Sequence, residues 1–462
     1  MVFLMLLGIV FVFLFSYKFV DKDFLSPANV FLLFSIVSIT AMFIFYDKWE
    51  LSNYGLLAVV VYLSGSIFFV VGCGIAKAFS LRNINLRNTI NSNVLNPMRI
   101  EMSYLKIFIA ILISLAGLYG TYRFIMNLVG GNSLASLAVA VQRYRYLHGQ
   151  RMLSGENAKG RIWALCSSFS TAFAYCSIIV LIHNIVNRKY KRKDLLLVFP
   201  FAFKTLEYLI TSSRGDIINM LVGAIMCWFI SMKFRRGWNK EINRKVVKIV
   251  IRVAIIFVPL FFGSLIIMGR VTSLKGFDFT NSAVIYLSGG VRNLDLYFKE
   301  PITTSKLFGE ETFTYLLSNL SNTLQHGKLI TRVLEFRNIN GKNIGNIYTS
   351  FRRFYHDFGF LGVCFLSSIQ GMVISSLYYN INRRGKDNRI GFLEVLYYYL
   401  ACTTPYIAIE DTFFSYYFSI TCLKMFVIFF IVYFFIYDIS SERVGVIKIN
   451  LGNIRIRNKF EM

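Results

Sequence analysis

Charged residues and prolines are both scarce in this chain. Only 16% of its 462 residues are charged and six are prolines, whereas soluble domains carry about 25% charged residues. No stretch rich in proline, glycine and serine divides the sequence, so we expect residues 1–462 to form one domain. Hydrophobic residues make up 56% of the chain, and long apolar runs recur along it. These features argue against a soluble globular enzyme and favour an all-α, polytopic integral membrane protein.

Several kinds of site are also missing from the sequence. It has no glycine-rich phosphate loop, no H-E-x-x-H or G-x-S-x-G motif and no cytoplasmic D-x-D. The four histidines are scattered, so we predict neither a metal nor a cofactor. All seven cysteines fall inside apolar runs, which excludes an external disulfide framework.

Acidic residues are few as well, with 24 against 50 lysines and arginines and a net charge of +26. In a soluble protein such an excess would suggest nucleic acid. In a membrane protein, basic loops next to anionic lipid account for most of it. We therefore expect membrane lipids, and not nucleic acid, as partners.

Apolar segments of about 20 residues predict eleven transmembrane helices. The predicted spans are 2–17, 28–46, 55–79, 104–129, 162–187, 195–213, 216–233, 248–268, 357–379, 392–409 and 416–437.

The distribution of lysine and arginine between the spans predicts their orientation. Segments 188–194, 233–248 and 381–390 and the tail 438–462 are densely basic and fall on one side, which we assign to the cytoplasm. This places the N-terminus outside and the C-terminus inside. A medium loop, 130–161, and a long loop, 269–356, are then extracytoplasmic. A stripe of Phe313, Leu316, Leu317 and Leu320 predicts a short helix within the long loop.

Both predicted external loops keep basic residues that the orientation rule does not require. The medium loop has Arg143, Arg145 and Arg151 around Tyr146. One interpretation is anchoring at the lipid headgroups, and the other is an anion site in which arginine binds phosphate and tyrosine contacts sugars. The long loop adds further polar candidates for such a site. They are Arg270, Arg292, His326, Arg352, Arg353, His356 and Asp357.

Span six carries charges within its apolar sequence. Lys204, Glu207, Thr211 and Arg214 are spaced 3, 4 and 3 residues apart, so they share one face of a helix. Because a charge inside the bilayer is costly, it usually faces the bundle interior or a wet cavity. The stripe therefore predicts either a structural Lys204–Glu207 pair or the polar wall of an outward-open cavity with Arg214 at its rim.

These features resemble the Wzy-type O-antigen and capsular polysaccharide polymerases, which join oligosaccharide repeat units. The resemblance covers most of the chain as architecture. It is sharpest at residues 212–216 (SSRGD), 346–351 (NIYTSF) and 356–362 (HDFGFLG). It implies an enzyme of the bacterial inner membrane that uses undecaprenyl-pyrophosphate-linked oligosaccharides at the outer face. External arginines are implicated in that family, which agrees with Arg143, Arg145 and Arg214. Implied protein partners are a flippase and a chain-length regulator of the same pathway.

The corresponding reaction transfers a glycan from one lipid pyrophosphate to a hydroxyl of another lipid-linked unit. Cations would stabilise the leaving pyrophosphate, with Arg214, Arg143 and Arg145 as first candidates and Arg352 or Arg353 as helpers. Candidates for the base are His326, His356, Asp357 and Glu207. Two alternatives stay open: a flippase or transporter of lipid-linked oligosaccharides, and a ligase or glycosyltransferase that uses a polyprenyl-linked donor.

Overall fold

The computed structural model describes residues 1–19, 23–85, 99–130, 136–149, 160–236, 279–300, 307–323, 334–381 and 390–437. Over these residues the chain is predominantly helical, as its hydropathy predicts. The helices, numbered in chain order, are α1 (Val2–Phe19), α2 (Pro27–Met42), α3 (Leu56–Asn85), α4 (Tyr104–Asn127), α5 (Leu137–Gly149), α6 (Arg161–Val186), α7 (Val198–Ile210), α8 (Arg214–Arg236), α9 (Phe279–Lys299), α10 (Thr314–Thr323), α11 (Ser350–Ile381), α12 (Phe392–Leu400), α13 (Thr403–Tyr406) and α14 (Ile420–Ile436).

Among the described residues, six helical segments are long and apolar enough to cross a membrane. They are Pro27–Phe45, Leu56–Ser80, Tyr104–Asn127, Arg161–Val186, Arg214–Arg235 and Ser350–Ile381. Helices α1 and α14 are apolar but shorter. The predicted span 248–268 and the tail 438–462 lie outside the described residues, so the total of eleven spans stays a prediction.

The predicted span 195–213 does not form one continuous α-helix. In the segment 195–213, residues Arg192–Leu197 form a 3-10 turn, and the α-helix begins only at Val198. The Asp194 carboxylate fixes this turn, because it accepts the Lys191 backbone N–H at 3.0 Å and pairs with Arg99 at 2.8 Å. Helix α7 therefore has 13 residues, which is shorter than a full crossing of the bilayer requires.

The predicted span 392–409 is divided between α12 and α13. Pro405 lies within α13 and has no N–H with which to continue a helical ladder. A five-residue π-helical turn, Phe413–Tyr417, follows before α14 begins. Irregular backbone at the depth of a helical bundle is tolerated where protein covers it, and Thr403 and Phe414 are indeed buried.

A small β-hairpin is a feature that the all-α expectation omitted. Strand β1 (Arg337–Ile339) pairs antiparallel with β2 (Lys342–Gly345) inside the predicted long loop. Asn340 and Gly341 connect the strands with φ values of 50° and 72°. Two consecutive positive φ angles define the type I′ turn that an Asn-Gly pair favours. The same loop contains the predicted helix of 312–323, observed at Thr314–Thr323, and also the 21-residue helix α9.

The centre of the bundle is a close contact between α3 and α11. A Cβ atom on Gly72 would lie 2.0 Å from the carbonyl oxygen of Ser368, and one on Gly371 would lie 2.2 Å from that of Phe69. Both distances are too short for any side chain, so the two backbones approach each other only because these positions are glycine. Small residues at helix contacts are typical of membrane bundles.

One end of the bundle is held together by Asp23, at the start of α2. Its carboxylate pairs with Lys233, near the end of α8, and accepts the hydroxyl of Tyr378, near the end of α11, at 2.6 Å. The C-terminal ends of α8 and α11 therefore meet here. We call this end, defined by Asp23, Lys233 and Tyr378, the clasp end.

The N-terminal ends of α8 and α11 are joined through α13 at the opposite end. The Ser350 backbone N–H donates to the Ile407 carbonyl at 3.2 Å. On the α8 side, a Cβ on Gly215 would lie 4.0 Å from the Tyr406 hydroxyl. We call this end the arginine end, because it carries Arg214, Arg292, Arg352 and Arg353.

A kink in α11 separates the polar sequence at its start from its membrane-length part. Gly359 has φ 64° and ψ −160°, a combination that is essentially restricted to glycine. The segment 350–358 therefore forms a short helix of its own before the chain turns into the apolar segment 360–381. This kink positions the segment 352–357 at the arginine end.

Candidate functional site

A turn over residues 307–313 is docked on the short helix that begins α11. The Asp357 carboxylate accepts the Glu311 backbone N–H at 3.1 and 3.3 Å, one distance to each oxygen, and the Thr312 backbone N–H at 2.6 Å. The Arg353 guanidinium donates to the Glu311 carbonyl at 3.0 Å. These bonds hold the backbone of the turn against α11 and bring Glu311 to the sequence-predicted cluster of Arg352, Arg353, His356 and Asp357.

The side chain of Glu311 lies between Arg352 and His356. One carboxylate oxygen pairs with Nη1 of Arg352, and the other lies 3.5 Å from Nε2 of His356. Arg352 is only 2% exposed, so its charge is largely removed from water. A buried charge needs a partner to offset the cost of its desolvation, and Glu311 supplies one.

Two tyrosine rings enclose the Arg352 guanidinium. Its Cζ atom lies 4.5 Å from the centre of the Tyr297 ring and 4.6 Å from that of Tyr348. Both distances are within the range of cation–π attraction. The Tyr297 hydroxyl is also 3.1 Å from Nδ1 of His356, so one tyrosine contacts both the cation and the imidazole.

This cluster contains buried donor atoms that the protein leaves without a hydrogen-bond partner. Within the described residues, neither Nε of Arg352 nor Nε of Arg353 has a hydrogen-bond partner, although both atoms are buried. Buried polar atoms normally have partners, so such exceptions call for an explanation. Two adjacent guanidinium groups with open donors can bind the oxygens of a phosphate or a diphosphate.

Arg337 supports the cluster from the hairpin. Its Nε donates to the Tyr348 hydroxyl at 2.8 Å, and it pairs with Glu300 and with Glu335. Burial raises the pKa of Tyr348 although Arg337 opposes this effect, so the hydroxyl stays neutral. Tyr348 then donates to the Glu335 carbonyl at 3.1 Å, which fixes the ring that packs on Arg352.

Arg292 lies at the same end but is held within α9. It pairs with Asp295, whose carboxylate also accepts the Gly55 backbone N–H at 2.7 Å and contacts Lys299 at 3.0 Å. Both Arg292 and Asp295 are buried. These contacts tie the start of α3 to α9 and supply the buried Arg292 with a partner, while its assignment to the substrate site stays a prediction.

Arg214 contacts α9 nearer the N-terminus of that helix, on the face that also carries Tyr297. It donates to the Tyr286 hydroxyl at 2.7 Å, and its Cζ lies 5.4 Å from the ring centre. Tyr286 and Tyr297 are eleven residues apart, which corresponds to about three helical turns and about 16 Å. The predicted arginines are therefore arranged along α9, with Arg214 at Tyr286 and Arg352 at Tyr297.

Glu207 lies apart from these groups, in a buried polar cluster between α4, α6 and α7. Its carboxylate pairs with Lys204 at 3.0 Å and accepts hydrogen bonds from Thr121, at 2.8 Å, and from Ser167. Lys204 in turn donates to the Ser167 carbonyl at 3.1 Å. This arrangement favours the structural interpretation of the Lys204–Glu207 pair over a catalytic one.

The candidates of the medium loop lie on α5 and not in the cluster. Arg143, Arg145 and Tyr146 are exposed, and the Arg143 guanidinium lies 5.8 Å from the Tyr146 ring. The opposite face of α5, including Ala140 and Val141, packs on Ile125 and Met126 of α4. Arg151, Arg270 and His326 lie outside the described residues.

Sequence reasoning missed several groups that complete the cluster. Glu311, Tyr297, Tyr348 and Arg337 come from three separate segments, and only the fold brings them to Arg352. Tyr297 belongs to a mixed polar and apolar stretch, 285–298, which signals a helix with one polar face. No pattern in the sequence distinguishes Glu311 from the adjacent Glu310. Over the described ranges, no three histidine, cysteine or carboxylate side chains are grouped as a metal site would require.

Comparison with known proteins identified no relative. No family model, no curated protein and no solved structure matches the chain. The fold and the site therefore define the class: a predominantly helical protein with several membrane-length apolar helices and a buried arginine–tyrosine cluster at one end.

Proposed function

We propose that this chain is a membrane glycosyltransferase that polymerises oligosaccharide repeat units carried on undecaprenyl pyrophosphate. The products would be O-antigen, capsular or exopolysaccharide chains of a bacterium. The observation that carries the proposal is the pair Arg352–Arg353: two consecutive residues have buried guanidinium groups whose Nε atoms lack hydrogen-bond partners, and one of them, Arg352, shares the Glu311 carboxylate with the His356 imidazole. This set of groups suits a reaction in which a pyrophosphate leaves and a hydroxyl loses a proton.

The orientation of the bundle supports the proposal. The basic segment 188–194, in which five of seven residues are lysine or arginine, follows α6 at the clasp end. Here Arg235, two residues after Lys233, donates to the carbonyl of Val186 at the end of α6. The positive-inside rule assigns such an end to the cytoplasm of a bacterial inner membrane. The arginine end would then face the extracytoplasmic side, where lipid-linked repeat units are presented after flipping. The N-terminus would lie outside and the C-terminus inside.

In the proposed reaction, a hydroxyl of the acceptor unit attacks the anomeric carbon of the donor glycan. A new carbon–oxygen bond forms, the bond from the anomeric carbon to the pyrophosphate oxygen breaks, and the pyrophosphate leaves with that electron pair. Arg352 and Arg353 would stabilise the charge on the leaving group. His356 is the base that the geometry favours, because Asp357 already accepts two backbone N–H groups and Glu207 is paired elsewhere. The acceptor proton would pass to its imidazole.

The arrangement along α9 suits an extended substrate. Arg214 and Arg352 contact tyrosines about 16 Å apart on one helix face, a distance on the scale of a few sugar units. We therefore assign Arg214 to binding at one end of the site and Arg352 to the reacting pyrophosphate. The partly exposed tyrosine ring of Tyr286 suits contact with a sugar.

The direct test is incubation of the purified chain in lipid nanodiscs with synthetic lipid-pyrophosphate repeat units, followed by sizing of the products. We expect polymer from the unmodified chain and at least about a hundredfold less from Arg352→Gln, the usual loss when one charge-stabilising donor is removed. Lys48→Gln removes an exposed cation from the segment that precedes α3 and serves as the matched control.

Two outcomes would contradict this proposal. Transport of the lipid-linked unit across the bilayer without a new glycosidic bond would favour a flippase. Transfer of a single unit without extension would favour a ligase or a single-step glycosyltransferase. Separately, unchanged polymer length and yield in Arg214→Ala would remove Arg214 from the substrate site.

A further inference from the structure

The anion position beside Arg352 is occupied by the protein itself. The Glu311 carboxylate pairs with Nη1 of Arg352 and lies 3.5 Å from Nε2 of His356. Its own exposure is 13%, whereas that of the Arg352 side chain is 2%. A carboxylate on a guanidinium makes the same type of charge-assisted contact as a phosphate oxygen. Glu311 therefore stands where the phosphate of a bound substrate would be expected.

The backbone of Glu311 is anchored independently of its side chain. The N–H is bound by Asp357 and the carbonyl by Arg353, at 3.0 Å. The next residue, Thr312, is held by the same Asp357 carboxylate at 2.6 Å. The carboxylate can consequently leave Arg352 by side-chain rotation while the turn remains docked on α11.

We propose that Glu311 is a built-in competitor at the Arg352 site, which the phosphate group of a lipid-linked substrate must displace. The inference rests on the proposed function for the identity of that substrate. A competitor of this kind lowers the affinity for every anion by the same factor, because each ligand binds only the displaced state. Singly charged phospholipids, which surround the protein at high concentration, then fail to displace Glu311. A diphosphate, which has more oxygens for both arginines, still binds.

The test uses two synthetic probes that differ by one phosphoryl group: farnesyl methyl phosphate and farnesyl methyl diphosphate. Binding of each to the purified full chain in neutral-lipid nanodiscs is measured for the unmodified protein and for Glu311→Gln. We expect Glu311→Gln to bind both probes more tightly, each by about tenfold, the factor that 1.4 kcal/mol produces. Glu310→Gln removes the same charge one residue away and should leave both affinities unchanged. Glu311→Asp keeps the charge and should resemble the unmodified chain.

The direction in which Glu311→Gln changes the probe affinities decides whether Glu311 is a competitor. If Glu311 only positioned Arg352, Glu311→Gln would weaken the binding of both probes, and the proposal would be wrong. Equal affinities in Glu311→Gln and the unmodified chain would also overturn it. A carbodiimide experiment on the unmodified chain covers the case in which Glu311→Gln does not fold. Saturating farnesyl methyl diphosphate should increase the labelling of Glu311 relative to Glu310, and unchanged labelling would refute the displacement.

These measurements do not depend on glycan transfer. Tighter probe binding by Glu311→Gln, in a protein that makes no polymer, would support the competitor and reject the polymerase. Polymer formation with probe affinities that Glu311→Gln leaves unaltered would support the polymerase and reject the competitor.

Discussion

The carboxylate of Asp357 accepts the backbone N–H of Thr312 at 2.6 Å and that of Glu311 at 3.1 Å. A residue that the sequence offered as a catalytic base thus connects a turn to a helix. We expect Asp357→Ala to lower the free energy of unfolding by about 1–3 kcal/mol, the cost of leaving buried donors unsatisfied. Asp357→Asn, which keeps one acceptor, should cost less. Chemical denaturation in detergent measures both effects, with the exposed Asp47→Ala as the control. Complete loss of glycan transfer in an Asp357→Asn variant of normal stability would instead identify Asp357 as the base.

The Lys204–Glu207 pair provides a second prediction. Removing one partner leaves the other charge buried, so Glu207→Leu should destabilise the chain by about 3–5 kcal/mol. The double variant Lys204→Met/Glu207→Leu removes both charges and should recover most of that loss. A double-mutant cycle on the free energy of unfolding measures the coupling. If Glu207→Leu abolished glycan transfer with no change in the free energy of unfolding, Glu207 would be a catalytic group and not a structural one.

Asp411 is expected to make stability depend on pH. Burial raises its pKa to about 7, although Arg353 and the N–H groups of Phe414 and Ser415 act in the opposite direction. In the unfolded chain the pKa of an aspartic acid is about 3.9. The folded state therefore holds this proton more tightly. The stabilisation that Asp411 contributes to the folded state is therefore fully present below about pH 4 and is lost as the pH rises to about 7.

Thermal unfolding at several pH values tests this expectation. The midpoint of the unmodified chain should fall between about pH 4 and about pH 7, and Asp411→Asn should reduce that fall because its side chain does not titrate. An equal fall in both proteins would show that other groups cause the pH dependence.

The contact between α3 and α11 predicts a strong effect of a single methyl group. Gly371→Ala would place a Cβ 2.2 Å from the Phe69 carbonyl, so the two helices must separate. We expect a loss of about 1–3 kcal/mol, as overpacking of a tight core produces. Gly391→Ala is the matched control, since no atom lies within 4 Å of its added Cβ. Equal unfolding midpoints for the two variants would contradict the close approach.

The sequence predicted the helices that are long and uniformly apolar, such as α3, α4 and α6. Hydropathy is sufficient there, because length and composition alone decide whether a helix matches a bilayer. Hydropathy was a poorer guide to the segments 195–213 and 392–409. Those segments are apolar enough to span, but the first begins within the 3-10 turn that Asp194 fixes, and Pro405 interrupts the helical ladder of the second. The hairpin at 337–345 was missed although Asn340-Gly341 is a strong turn signal, since its flanking strands are too short to show alternation.

For the candidate site, the sequence alone determined which residue types were available: arginines 352 and 353, a histidine and an aspartate in six consecutive positions, in a chain with a large basic excess. Only the tertiary structure decided what each one contacts. Glu311 and Tyr297 reach Arg352 from 41 and 55 positions away, and composition or spacing carries no information about such long-range pairings. The cost of burying a guanidinium is the physical reason, because it can be offset by any carboxylate or ring that the fold brings within reach.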